Sequence, residues 1–103
     1  MARLFTRVTT DTVIKSNPGR VYRIVITWGG GTASTAGKVW ALYNSTSIGA
    51  GTALLDGVIE STHGTLPIQL ETNASSPGLF FDTGIVFAQN DLNGVIRAVI
   101  EYE

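Results

Sequence analysis

The chain has 103 residues, 44% hydrophobic and 15% charged, and seven Lys and Arg against eight Asp and Glu leave a net charge of −1. That length makes one domain with one modest core, and the lack of a basic field argues against nucleic acid as a partner. The absence of cysteine excludes disulfides, thiolate metal sites and thiol nucleophiles. No apolar run approaches the roughly 20 residues that span a bilayer, so no membrane partner is expected.

"MARLFTRVTTDT" opens the chain without an apolar signal-peptide core, so synthesis in a cytoplasm is expected. Within it, residues 4–8 read as a first short strand, or as part of an N-terminal arm over residues 1–10 that joins a neighbour; Arg3, Leu4, Phe5 and Arg7 suit either role. A strand over Thr12–Lys15 follows, then "SNPG", where Pro18 and Gly19 make a tight turn.

The period over Arg20–Trp28 is two: Tyr22, Ile24, Ile26 and Trp28 share a core face, opposite Val21, Arg23, Val25 and Thr27. "WGGGTASTAG", with Gly29, Gly30 and Gly31, separates this strand from the next over Lys38–Tyr43, and this uncharged loop, like "STSIGAGT" after it, is a candidate assembly contact. "STSIGAGT" then leads to Ala53–Glu60, "STHG" to Leu66–Glu71, and the turn-rich "TNASSPG" to Leu79–Phe81 with Ile85–Gln89. After the hairpin turn "NDLNG", Val95–Tyr102 repeats the alternation, with Ile96, Ala98, Ile100 and Tyr102 inward and Val95, Arg97, Val99 and Glu101 outward.

About eight short strands, Gly-rich turns and no amphipathic helix predict an all-β fold, a single-domain antiparallel β-sandwich of jelly-roll type. Charged residues fall well below the roughly 25% of typical soluble domains, and the mean hydropathy is +0.21. A surface of Thr, Ser, Gly, Asn and Ala is cheap to desolvate, so burial against other chains is expected. The outward face made by Val21, Val25, Val95 and Val99 is the expected self-contact, with Arg23, Arg97 and Glu101 as polar pairs.

Catalytic signals are weak. Ser61, His63 and Glu60 share one loop, yet no nucleophile elbow or oxyanion hole accompanies them, and His63 reads as an exposed turn residue. "NDLNG" lacks the length and distal Glu of a calcium loop. The Gly-rich loop opens no helix and carries no Lys-Ser/Thr pair, so it cradles no phosphate. Asn44 and Asn73 match glycosylation sequons but read as loop asparagines. No catalytic residue, cofactor or metal is expected. Among the aromatic residues Trp40 is the candidate glycan platform, because neither face of "KVWALYN" is polar; core packing is the competing reading.

The order of Gly19–Tyr22, Leu42–Asn44, Gly78–Phe80 and Val95–Tyr102 resembles small β-sandwich structural proteins of tailed bacteriophages. In those, a Gly-Arg-hydrophobic-Tyr strand start precedes a hydrophobic-Tyr-Asp/Asn strand, a Gly-hydrophobic segment and a terminal strand ending near an aromatic. The resemblance covers about residues 12–103, with Asn44 where Asp is common. It implies a virion component: a capsid decoration or cement protein that binds a major capsid protein on the outer head as a homo-oligomer. The alternative is a fibre or tail-tip module that binds host-surface glycans.

Overall fold

In the computed structural model, residues 3–29, 37–61, 63–73, 75–90 and 96–103 are described. Gly30 and Gly31, the Asn93–Gly94 turn and Val95 lie outside the described residues. The alternating segments form strands β1 (Leu4–Val8), β2 (Thr12–Lys15), β3 (Gly19–Trp28), β4 (Val39–Asn44), β5 (Thr52–Val58) and β6 (Gly64–Gln69). Beyond these come β7 (Glu71–Asn73), β8 (Ser76–Pro77), β9 (Leu79–Phe81), β10 (Ile85–Gln89) and β11 (Ile96–Tyr102).

The pairings read as one long hairpin wound on itself. β4 pairs with β5 across the Ser45–Gly51 turn, β3 with β6, β2 with β10 and β1 with β11, all antiparallel. Winding then brings β11 against β3 and β10 against β4. One sheet therefore runs β1-β11-β3-β6, with β9 beside the start of β3, and the other runs β2-β10-β4-β5. This is the jelly-roll arrangement of an antiparallel β-sandwich. β7 and β8 form a small hairpin off the sandwich.

The core is the space between the sheets. Ile24, Ile26, Phe81, Ile96, Ala98 and Ile100 line one side, and Trp40, Leu42, Ile85 and Phe87 the other. Each large side chain buried this way contributes about 1.5–3 kcal/mol. Ile59, just past β5, also enters the core, where its backbone pairs with the Lys38 carbonyl and the Gly37 N–H.

Alternation fails at one expected position. Val21 is fully buried in the core, not on the outward face. The cause is a bulge in β3: Glu101 faces Arg23 while Tyr102 faces Val21, so Tyr22 is the extra residue. A bulge sets two residues against one and resets the alternation beyond it. Tyr22 is buried as well, but outside the central core cluster.

Candidate contact surfaces

β1 is the first strand of the protein's own sandwich, in unbroken register from Leu4 opposite Tyr102 to Val8 opposite Ala98. Arg3 anchors its start. The guanidinium donates to the Glu71 carboxylate and, at 3.4 Å, to Glu101, and its carbon lies 3.9 Å from the centre of the Tyr22 ring. The carboxylates, Glu71 first, hold the Arg3 pKa above its ordinary value. The Tyr22 hydroxyl donates to Glu103 at 2.8 Å. Burial first, then that carboxylate, raises the phenol's pKa.

The outward face of this sheet forms transverse rows. Phe5, Glu101, Arg23 and Gln69 lie across one, and Arg7, Val99, Val25 and Pro67 across the next. Val99 is 39% exposed and Val25 half-buried, so both belong to a surface and not to a second core layer. Arg97 is half-buried beside Thr27, and Arg7 and Arg23 are exposed. Within the chain Glu101 bonds Arg3, and among the described residues the ion pairs are both made by Arg3. The N-terminal guanidinium reaches the carboxylate from the β1 side and engages it there.

The outward face of the other sheet is more apolar. Tyr43 sits across from Val86 and Ala53, Ala41 from Ala88 and Asp56, and Val39 from Val58. Val39, Val58 and Val13 are exposed, and shallow depressions flank Ala41 between Val39 and Tyr43. Asp56 is the charged member of these rows. Sequence reasoning missed this surface: "KVWALYN" is apolar on both faces, and the strand order decides which of them stays open.

Trp40 is the second correction. It is 1% exposed and packs in the core, so it offers no platform to a sugar. Its partner across the sheet is Gly57, where a Cβ would come within 2.8 Å of the indole Nε1. The missing side chain makes room for the indole and lets it lie inward. Nε1 meets no hydrogen-bond acceptor among the described residues.

One end of the sandwich gathers the last residues of β1, β3, β5 and β10 and the first residues of β2, β4, β6 and β11. Gly37 N–H donates to Ile59 O, Asn90 N–H to Val39 O, and Gln89 N–H to the Asp11 carboxylate. Gly29 is buried here with φ +119°, and a Cβ would lie 2.5 Å from the His63 ring, so glycine is required on both counts. Trp28 donates its indole N–H to Ser61 Oγ at 3.2 Å, and Ser61 donates to the His63 carbonyl at 2.8 Å. The hydroxyl thus ties a turn together. At the opposite end Asn44 staples the β9–β10 crossover, donating to Asp82 at 2.6 Å and accepting from Thr83 N–H at 2.9 Å. Asn44, and next Thr83, lower the Asp82 pKa.

Among the described residues no three His, Asp or Glu side chains gather as metal ligands, and no helix is long and apolar enough to cross a membrane. Comparison of the chain with protein-family models, with curated proteins and with solved structures found no match.

Proposed function

We propose that this chain is a non-enzymatic structural protein of a bacteriophage virion. On this reading it is a decoration or cement protein that binds a major capsid protein on the outer head as a symmetric oligomer. The observation that carries the reading is the outward face of the β2-β10-β4-β5 sheet, where exposed Val39 and Val58 and half-buried Tyr43 surround Ala41, with Asp56 the charged member of these rows. A face of this chemistry costs little to desolvate and is suited to lie against another protein. The jelly roll, which recurs among viral capsid domains, and the sequence resemblance to phage structural proteins support it further.

The physical role follows from linkage. A protein that binds the assembled shell and not its separated subunits stabilises the shell by mass action. Many copies on a lattice add avidity to individually weak contacts.

A glycan-binding fibre or tail-tip module is the second reading. With Trp40 in the core, its candidate aromatic becomes Trp28, half-buried at the loop end beside Ser61. Imaging particles made with and without the chain separates the readings. Repeated density on the outer head, reduced by Val58→Glu in a chain that remains folded, is the expected result. Density confined to fibre or tail tip, with binding on a glycan array, favours the second reading. Absence from the particle overturns both.

A further inference from the structure

A sandwich of this kind has open edges, and an unprotected edge is a template for another strand. β2 is bulged at Ile14 and β5 at Leu54, β6 carries Pro67, and β9 is only three residues long. Bulges, prolines and short length are the devices that blunt edges. β1 is not bulged and contains no proline: its register with β11 is unbroken over five residues, and its one charged residue is Arg7.

β1 also carries adjacent exposed apolar side chains, Leu4 at 52% and Phe5 at 63% exposure. Neighbouring residues on a strand point to opposite faces. A partner lying flat on the sheet would cover Phe5 and leave Leu4 bare, whereas a strand added alongside β1 covers both.

We infer that β1 is a two-fold seam at which a second copy of this chain adds its own β1 antiparallel, centred on Thr6, joining the two β1-β11-β3-β6 sheets into one. The inference rests on the assembly reading above and names the contact. Charge selects the register. A two-fold axis normal to the sheet keeps outward side chains outward, so only registers centred on residue 5, 6 or 7 use the strand. Centring on Arg7 sets Arg7 against its own copy, and centring on Phe5 sets Arg3 against the partner's Arg7. Like charges directly opposite are destabilising. Centring on Thr6 sets Phe5 against the partner's Arg7 twice, a cation–π contact in each case, and Thr6 against Thr6. Arg7 is exposed and makes no ion pair among the described residues.

The absence of cysteine makes the register directly measurable. Cross-strand partners have Cβ atoms about 4.5–5.5 Å apart, close to the reach of a disulfide. The T6C variant is expected to form a covalent dimer under mild oxidation at least tenfold faster than T83C, an exposed control away from β1. F5C and R7C are each expected to be slow alone and fast when mixed, and F5R to weaken association, with F5R/R7E restoring it. Sedimentation of the wild-type chain at 1–200 μM runs alongside. If wild type dimerises but T6C crosslinks no faster than T83C, the seam is wrong and the assembly reading survives. If wild type stays monomeric and T6C is slow, the seam is overturned, and imaging of particles alone decides the assembly reading.

Discussion

Tyr102 of β11 lies opposite Val21 of β3, although its neighbour Glu101 lies opposite Arg23. That one-residue slip sends Val21 into the core and leaves Tyr22 beneath Arg3, with its hydroxyl on Glu103. The bulge thereby joins the end of the sandwich core to the charged cluster that holds the start of β1.

Tyr22→Phe removes the hydrogen bond to Glu103 while keeping the ring under Arg3. The expected cost at neutral pH is about 1 kcal/mol. The phenol's pKa is raised in the folded chain, so its contribution is complete below the ordinary tyrosine value, about 10. As pH rises past that value the unfolded chain releases its proton first, and the contribution is lost as pH climbs through the folded pKa. Urea denaturation at neutral and strongly alkaline pH should show the gap between wild type and variant closing in alkali.

Asp82 titrates in the opposite sense. The Asn44 amide, and then Thr83, lower its pKa in the folded chain, so its contribution is present above the ordinary carboxylate value, about 4. It is lost as pH falls through the folded pKa. Asp82→Asn keeps an acceptor oxygen but no titrating charge. Its unfolding midpoint should lie below that of wild type at pH 7, and the two should converge under acid, followed by circular dichroism.

Gly57 faces Trp40 across β4 and β5, and its missing side chain is space the indole uses. Gly57→Ala should overpack that contact and destabilise by about 1–3 kcal/mol. For a domain of this size each kcal/mol lowers Tm by roughly 4–8 °C. A thermal midpoint unchanged within 2 °C, on that same scale, would show that the indole has another place to go.

Much of the fold is legible because one physical fact, period-two burial, repeats through β3 and β11. Ile24, Ile26, Ile96 and Ile100 fall inward as the alternation requires. Val21 escapes because a bulge depends on the partner strand, and nothing in "GRVYR" marks it. Leu79–Phe81 and Ile85–Gln89 look like one interrupted strand, yet β9 lies in one sheet and β10 in the other. The change of sheet at Asp82–Gly84 is fixed by Asn44, which is remote in sequence. The "TNASSPG" stretch reads as a turn and holds the short β7–β8 hairpin around one. The apolar face around Ala41 and Tyr43 was hidden for a different reason. Both faces of "KVWALYN" are apolar, and only the strand order shows which of them the second sheet covers.

Val99→Glu tests the assignment of faces most sharply. Val99 is 39% exposed, with Arg7 across from it on β1 and Val25 across from it on β3. A glutamate here stays in solvent and gains a guanidinium directly opposite, a cross-strand pair worth roughly 0.2–1 kcal/mol. The variant should therefore fold with a thermal midpoint near that of wild type. Ala98 is one residue away and fully buried, with Ile26 and Val8 beside it. Ala98→Glu forces an unpaired carboxylate between the sheets, and such burial costs several kcal/mol. Against a total stability of about 5–15 kcal/mol, that variant should be largely unfolded or strongly destabilised by circular dichroism. Equal loss of structure in both variants would mean that Val99 is a core residue and that the outward face of β1-β11-β3-β6 has been assigned to the wrong side.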